Sequence, residues 1–487
     1  MHHSRGPRPR HRPAARPGTA QLTGAARRGL LVGLTGASVG VIYGYDLSCI
    51  AGALLFITDQ FGLTTSQQEL LTTMVVIGQI GGALGGGVLA NAIGRKKTMI
   101  LIVVGYAVFA LLGATSVSMP MLLVARLLLG LTIGVSVVVV PVYVAESAPA
   151  AVRGSLLAAY QLATISGIIL GYLAGYLLAG THSWRLMLGL ATVPATLLLP
   201  LLLRMPDTAR WYLLKGRVDD ARRALLRVEP GAQAAHVEAE LAEIGRALGE
   251  GSGNFKGTAS EMLRRPYLRA TIFVITLGFL VQITGINAII YYSPRIFEAM
   301  GFKGYFALLA LPALVQLAGL AAVCAALLLV DRVGRRPILL SGIAMMVAAD
   351  VVLIVAFAQG SSVILGFAGV LLFIIGFSFG FGSMVWVYAG ESFPSRLRSI
   401  GSSTMLTSNL VANAIVAAGF LTMLHSLGGA GAYAVFGFFA VVAFGVVYRY
   451  APETKGRQLE EIRHFWENGG RWENSGESQN SWENECP

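Results

Sequence analysis

Two residues of opposite charge, Asp46 and Arg126, lie inside long apolar stretches of the sequence. A charge at the centre of a bilayer costs at least about 2.5 kcal/mol, so such a residue usually faces a cavity or a partner of opposite charge. We expect Arg126 to pair with ionised Asp46 and to be released when that carboxylate takes up a proton, which makes the pair a proton-operated switch. The alternative is a permanent buried ion pair that couples nothing.

A second set of candidates consists of amide and aromatic side chains inside the apolar stretches. Amides offer donors and acceptors to a neutral polyhydroxylated solute, and aromatic planes suit the C–H face of its ring. In QITGINAIIYYSP, Gly285 and Pro294 bracket a helix that can break around such polar groups. Taken singly, each amide is equally well explained as a helix–helix hydrogen bond. The candidates are Gln161, Gln282, Asn287, Tyr291, Trp386 and Asn409.

Charged residues in the loops repeat between the two halves of the chain. In ESAPAAVRG and in ESFPSRLRS a glutamate precedes an arginine by seven residues, and GRKK in the first half matches GRRP in the second. We expect these residues to lie together on the cytoplasmic side and to form a gate that latches the halves in one state. Topology and a solvated surface are the alternative explanation for each arginine. The predicted gate consists of Arg95, Glu146, Arg153, Arg335, Glu391 and Arg398.

One further carboxyl, Asp350, lies in the middle of the apolar stretch MMVAADVVLIV and has no cation nearby in the sequence. Burial without a countercharge disfavours the ionised form. We therefore favour a neutral carboxylic acid that is hydrogen-bonded to a neighbouring helix. A second proton site is the alternative.

Composition indicates that lipid surrounds most of this chain. Of its 487 residues, 55% are hydrophobic and 13% are charged, which lies outside the range of ordinary soluble domains. Apolar runs of roughly 20 residues recur about twelve times, which predicts an all-α membrane protein with about twelve transmembrane helices. A β-barrel would alternate apolar and polar residues instead. The hydropathy excludes a soluble enzyme, so no catalytic residue is predicted.

The formal net charge of +12 does not indicate a nucleic-acid partner, because the basic residues fall in the tails and in every second loop rather than on one face. This is the positive-inside pattern, and it predicts that both termini lie in the cytoplasm. Cys49, Cys324 and Cys486 are scattered along the chain. Neither a disulfide framework nor a metal site is predicted from them.

The order of apolar and polar stretches divides the chain into two halves and a linker. Duplicated six-span units of this kind build many secondary transporters, with the solute site between the halves. We predict a basic cytoplasmic tail, a six-helix bundle, a cytoplasmic linker with short amphipathic helices, a second six-helix bundle, and a cytoplasmic tail that is disordered at its end. The predicted ranges are 1–28, 29–204, 205–269, 270–450 and 451–487.

The motifs resemble those of the sugar porter branch of the major facilitator superfamily, over roughly Gly29 to Arg463. GRKK and DRVGRR resemble the paired loop signature of that family, and VPVYVAESAPAAVRG resembles its fourth-loop motif. PDTARWYLLKGR is similar to the motif after its sixth span, and PETKGRQLEEI is similar to its exit motif. QITGINAIIYYSP and WVYAGESFPSRLRS are further marks of the family.

The resemblance implies a fold of two helical bundles that work by alternating access. It implies that proton-coupled members carry an aspartate at Asp46 with Arg126 as its partner, whereas facilitative glucose carriers carry asparagine there. Several positions depart from the family pattern, namely Asn91, Val281, Gly319, Met405 and Leu406, so the solute need not be glucose. The positions implied to contact sugar are Gln161, Gln282, Asn287, Tyr291, Gly382 and Trp386.

We therefore expect a proton-coupled symporter of a monosaccharide, either a hexose or a pentose, or of a polyol, located in the cytoplasmic membrane. The expected partners are the solute, the proton and the lipid bilayer, without a cofactor, and the protein is expected to act as a monomer. A facilitative sugar carrier is the first alternative. A transporter-like sensor and an exporter of less polar solutes are the others.

Overall fold

The protein is all helical in the part of the chain that the structure, a computed structural model, describes. Eleven helices among the described residues are long and apolar enough to cross a membrane, and one of them is broken into two, which makes twelve spans. The prediction of an all-α membrane protein is confirmed. The described residues are 33–147, 153–228, 233–250, 261–265, 267–360, 363–393, 395–457, 459–468 and 472.

The first half contains six long apolar helices, and short turns join those whose connections the structure describes. The first of these turns uses Gly62 in the left-handed conformation, and Thr64 then starts the next helix by accepting a hydrogen bond from the Gln67 backbone, with the Gln67 side chain bonding back to Thr64. The helices are α1 (Gly33–Phe61), α2 (Thr65–Ile93), α3 (Arg95–Ala114), α4 (Met119–Ser147), α5 (Arg153–Leu178) and α6 (Trp184–Arg204).

Three short helices follow α6 and form a linker of lower hydropathy. They are α7 (Ala209–Leu214), α8 (Val218–Val228) and α9 (Ala234–Glu250). Arg222 of α8 donates to Glu238 of α9 over 2.6 Å, and this hydrogen bond lowers the pKa of the Glu238 carboxyl. The end of the molecule that carries these helices is called the linker face below, and the other end is called the opposite face.

The second half repeats the pattern of long apolar helices. Its longest helix has 56 residues, or about 84 Å if it were straight, which is far more than the roughly 30 Å of a bilayer core. Gly428, with φ 69° and ψ 172°, breaks it into two spans, α14a and α14b. The helices are α10a (Leu268–Ile283), α10b (Ile286–Ala299), α11 (Phe306–Val333), α12 (Arg335–Ala358), α13 (Val363–Glu391), α14 (Ser395–Tyr450) and the short α15 (Leu459–Glu467).

Close packing of α1 against α5 fixes the helix that carries Asp46. A Cβ atom on Gly44 would lie 1.8 Å from the Thr164 carbonyl oxygen, and one on Gly167 would lie 2.2 Å from the Val41 carbonyl oxygen. Glycine at these two positions therefore lets the two backbones touch, as small residues do between membrane helices. Asp46 is two residues beyond this contact, so its position relative to the first half is closely defined.

The two halves contact each other near the opposite face. Helices α1, α2 and α5 of the first half pack against α10b, α11 and α14 of the second half. The predicted division into five ranges remains a prediction.

Candidate functional site

Asp46 and Arg126 form a buried ion pair in the first half. The distance between Arg126 Nη1 and Asp46 Oδ1 is 2.7 Å, and the two side chains are only 3% and 5% exposed. Asp46 is held by the glycine contact between α1 and α5, and Arg126 projects from the apolar α4. The structure thus brings together the two residues for which the sequence predicts a switch, and the switching itself remains a prediction.

A small cavity lies beside this ion pair. It is enclosed by α1, α3, α4 and α6, and its lining includes Asp46, Arg126 and Cys49 together with apolar residues such as Phe109 and Ala110. Among the described residues, the Nε atom of Arg126 is buried without a hydrogen-bond partner. The pair is therefore buried beside apolar side chains, an environment in which the charge of Asp46 depends strongly on Arg126.

Two tyrosines connect the ion pair with the second half. Tyr43 lies one helical turn before Asp46 on α1, and Tyr291 of α10b lies within electrostatic range of Tyr43, Asp46 and Arg126. The Tyr291 ring is 3% exposed, so it lies in the packed interface between the halves. A predicted solute residue is therefore a neighbour of the predicted proton site.

Amide side chains pair across α10 and α14a in the second half. Gln282 Nε2 donates to Asn409 Oδ1 over 3.2 Å, which brings two of the predicted solute residues together. Asn413 Nδ2 donates to the Tyr291 hydroxyl, also over 3.2 Å. In the described part of the chain, Gln282 Oε1 and Asn413 Oδ1 are buried without a hydrogen-bond partner. The side chains of Gln282, Asn409 and Asn413 are called the amide wall below, and these two oxygens are its open acceptors.

The other four predicted solute residues are spread over three helices. Asn287 of α10b is 5% exposed, whereas Trp386 of α13 is 42% exposed. Gln161 of α5 and Gly382 of α13 are partly buried. Among the described residues, none of the four makes a hydrogen bond with another candidate, so their common role remains a prediction.

The break in α10 lies where the glycine and proline pattern predicts it. Gly285 separates the two parts with φ 99°, a conformation that favours glycine. Because Pro294 has no N–H group, the carbonyl of Ile290 lacks its normal helical partner. The hydroxyl of Tyr172, on α5 of the other half, donates to this carbonyl over 2.6 Å. Pro294 therefore leaves an acceptor free within α10b, and the hydrogen bond from Tyr172 to this acceptor joins the two halves.

Further polar contacts close the opposite face. The carboxylate of Glu69 on α2 accepts from the Thr422 backbone N–H over 2.7 Å and from its hydroxyl over 2.8 Å. Tyr305 of the second half packs edge-on against His182 of the first. The halves are thus joined by buried hydrogen bonds at this face.

Four of the six predicted gate residues form pairs, one pair inside each half. Arg95 Nε lies 3.0 Å from Glu146, and Arg335 Nε lies 4.0 Å from Glu391. Each of these described pairs joins residues of one half, and the gate across the halves remains a prediction. Arg398 is partly buried near Glu391, as its electrostatic interaction with that carboxylate indicates. The side chain of Arg153 lies outside the described residues.

Two carboxylates that the sequence analysis did not select complete these clusters. Asp207 Oδ1 accepts from the backbone N–H groups of Arg95 and Lys96 over 3.0 and 3.2 Å. Glu453 accepts in the same way from Arg335 and Arg336, over 3.1 Å in each case. Each carboxylate caps the positive end of a helix in its half. The repeated signal was in the sequence, as PDT before α7 and PET after α14.

Asp350 of α12 is fully buried in the second half, and neither of its oxygens has a hydrogen-bond partner in the described part of the chain. The prediction that Asp350 is hydrogen-bonded to a neighbouring helix is therefore wrong. Tyr433 of α14b is the polar group within electrostatic range, and its hydroxyl is also unpartnered there. Both groups are thus buried without a hydrogen bond in the described part of the chain.

Comparison with known proteins places this architecture. The sequence model of the family described as sugar (and other) transporter matches residues 32–466. The chain belongs to this family. It is a multi-pass membrane transporter with the fold of the major facilitator superfamily, and it is not an enzyme.

Two relatives and one solved structure illustrate the similarity. The galactose-proton symporter of Escherichia coli K12 is 35% identical over 88% of this chain and 92% of its own. The arabinose-proton symporter of the same strain is 32% identical over 91% of this chain and 94% of its own. The xylose transporter XylE of Escherichia coli, in a partially occluded inward-open conformation, has a TM-score of 0.77 at 24% identity and covers 89% of this chain and 100% of its own. That last likeness shows a common fold.

Proposed function

We propose that this transporter is a proton-coupled symporter of a monosaccharide or polyol that works by alternating access. The observation that carries the proposal is the buried pair of Asp46 and Arg126, 2.7 Å apart, next to a wall of amides in the other half. The names of the galactose-proton and arabinose-proton symporters support the same class of solute and the same coupling ion.

The pair suits proton coupling because its two states differ in charge. When Asp46 is ionised, its negative charge compensates the positive charge of Arg126, and the two side chains stay paired. Once Asp46 is protonated, a buried arginine has lost its counter-ion, so another arrangement of α1 and α4 is favoured. Tyr43 and Tyr291 carry such a rearrangement to the second half. A proton and a solute would thus bias the same equilibrium.

The second half suits a polyhydroxylated solute. Gln282 and Asn409 together present donors and acceptors, and one carbonyl oxygen of the pair is left free. Hydroxyl groups use both functions, so a sugar satisfies such a wall without bringing a charge into it. Trp386, Asn287, Gln161 and Gly382 are proposed to complete the binding site.

The arrangement of closed and open ends supports an inward-facing conformation. The opposite face is tied by Tyr172 and Glu69, and the charge pairs of the linker face are closed within each half. We assign the linker face to the cytoplasm because of its basic loops, so that both termini are cytoplasmic and the protein lies in the cell membrane. It is proposed to act as a monomer.

The charged residues of the linker face are proposed to gate the path of the solute on that side. They are Arg95, Glu146, Arg335 and Glu391, with Arg153 and Arg398. When the protein faces outward, the linker-face ends of the two halves must come together. Ion pairs that are now formed within each half can then be exchanged for pairs between the halves. Such an exchange has a small net energy, as an equilibrium between two states requires.

Uptake into proteoliposomes tests the proposal. The purified protein is given a labelled panel of hexoses, pentoses and polyols, with and without an inward proton gradient. We expect one solute to accumulate above its external concentration only with the gradient, and a protonophore to abolish the accumulation. Equilibration that ignores the gradient would favour a facilitative carrier, and no uptake of any panel member would exclude the proposed solute class.

A further inference from the structure

Asn413 of α14a is a polar residue of the second half whose chemistry packing does not explain. It is 1% exposed, and its Nδ2 donates to the Tyr291 hydroxyl over 3.2 Å. Its Oδ1 has no hydrogen-bond partner among the described residues. A buried carbonyl oxygen without a donor destabilises the protein. An apolar residue of similar volume would avoid that cost, so packing alone does not account for an amide here.

The position of Asn413 continues the amide wall of α14a by one turn. Asn409 and Asn413 are four residues apart, so they share one face of the helix and lie about 6 Å apart along its axis. Each is joined to α10, Asn409 through Gln282 and Asn413 through Tyr291. Each pair leaves one buried acceptor oxygen open. The wall thus offers two acceptors at neighbouring levels.

One turn in the other direction the same face becomes apolar. Met405, four residues before Asn409, is fully buried, and a Cβ on Gly278 of α10a would lie 2.7 Å from its Cγ. Helix packing therefore occupies this level, at one of the positions that depart from the family pattern. The polar face of α14a is displaced towards the opposite face, and Asn413 is at its upper end.

The pairing with Tyr291 gives this end a defined hydrogen-bonding character. The Tyr291 oxygen accepts from Asn413, so its own O–H remains available as a donor. Donor Tyr291 Oη and acceptor Asn413 Oδ1 lie on adjacent groups, and a single solute hydroxyl can accept from the first and donate to the second. An ether or a deoxygenated carbon cannot do both.

We propose that Asn413 is a specificity-determining residue that receives one hydroxyl group of the solute at Oδ1, beside the Tyr291 hydroxyl. The proposal rests on the proposed sugar or polyol transport and adds a residue to its binding site. The solute is accordingly one that carries a hydroxyl at the end directed towards the opposite face.

Monodeoxy analogues of the solute test this assignment. The solute that wild-type protein accumulates best is compared with its set of monodeoxy analogues, in wild type and in Asn413→Leu, by initial uptake rates. Wild type is expected to transport one analogue at least about tenfold less efficiently than the parent. In Asn413→Leu parent and analogue should be transported about equally, because the partner of that hydroxyl is gone. An unchanged ratio for every analogue in Asn413→Leu would overturn the proposal.

Two further variants separate binding from structure. Asn413→Asp keeps an acceptor oxygen and should retain the discrimination between parent and analogue. Tyr291→Phe should weaken this discrimination for the same hydroxyl. It therefore tests the proposal even if Asn413→Leu fails to fold. An effect of Tyr291→Phe on a different hydroxyl alone would contradict the shared site. Ser408→Ala, which removes a hydroxyl that bonds Ile275, is the control and should leave every ratio unchanged. Wild-type uptake in the same experiment tests the proposed function separately, and its absence for all solutes would overturn both.

Discussion

The two halves of this transporter are alike at the linker face and different in the membrane interior. Asp207 and Glu453 cap equivalent helices, and Tyr143 and Tyr388 donate to the carbonyls of the prolines that precede those carboxylates, over 3.1 and 3.0 Å. The interior of the first half holds a closed ion pair, whereas that of the second half holds amides with open acceptors. The two halves thus share a frame at the linker face, while the polar groups of their interiors differ, in our proposal because one half binds the proton and the other the solute.

The buried carboxylates sharpen this contrast. Counted from Gly94 and Gly334, which precede equivalent helices with φ 102° and 106°, Asp350 occupies the position of Ala110. Ala110 lines the cavity beside Asp46 and Arg126. The second half therefore has a carboxyl close to the place that corresponds to the ion pair of the first half, but in the described part of the chain no arginine pairs with it. We assign the proton coupling to Asp46 and none to Asp350.

The largest effect is expected from Asp46→Asn. This change keeps the shape of the side chain but removes its ability to change charge, so gradient-driven accumulation should be abolished while exchange of labelled for unlabelled solute continues. Counterflow in proteoliposomes measures the exchange. Asp350→Asn is the matched change in the other half and should retain accumulation. Loss of accumulation in both variants would break the contrast.

The next effect concerns the cost of separating the ion pair. Arg126→Leu leaves a buried carboxylate without its partner, which should destabilise the protein by about 3–5 kcal/mol. Thermal unfolding in detergent measures the change. The double variant Asp46→Asn, Arg126→Leu should recover much of the loss, since no uncompensated charge remains. If Arg126→Leu were as stable as wild type, Arg126 would not be stabilising a buried carboxylate at Asp46.

Smaller and equal effects are expected at the linker face. Asp207→Asn and Glu453→Gln each weaken two hydrogen bonds at a helix start, and each should cost about 1–2 kcal/mol of unfolding free energy. Thermal unfolding of both variants side by side is the measurement. A loss in one half only would contradict the equivalence of the two caps.

The smallest effect is expected from Tyr172→Phe. Loss of its hydrogen bond to the Ile290 carbonyl should disfavour the closed opposite face by about 1 kcal/mol, roughly a fivefold shift in the equilibrium. Distances between spin labels on the two halves measure this population. Tyr176→Phe, one turn further along α5, is the control and should cause no shift. Equal behaviour of the two variants would remove Tyr172 from the closure.

The sequence predicts spans and buried charges well because lipid penalises exposed polar groups strongly. Asp46 and Arg126 stand out for that reason, and Gly285 and Pro294 mark a real helix break. Contacts between residues distant in the chain leave a weaker signal. Asn413 is an amide like several others, and only the structure places Tyr291 beside it. The partner expected for Asp350 failed because nothing in a single helix shows how apolar its neighbours are.

The central claim is that Asp46 binds the proton that moves with the solute. Its most direct test is the pH change outside lightly buffered proteoliposomes when solute is added, in wild type and in Asp46→Asn, with solute uptake recorded in the same sample. We predict that solute makes the medium of wild-type vesicles more alkaline in proportion to uptake, and that Asp46→Asn moves solute down its gradient without any pH change. Proton movement that persists with solute in Asp46→Asn would contradict the account.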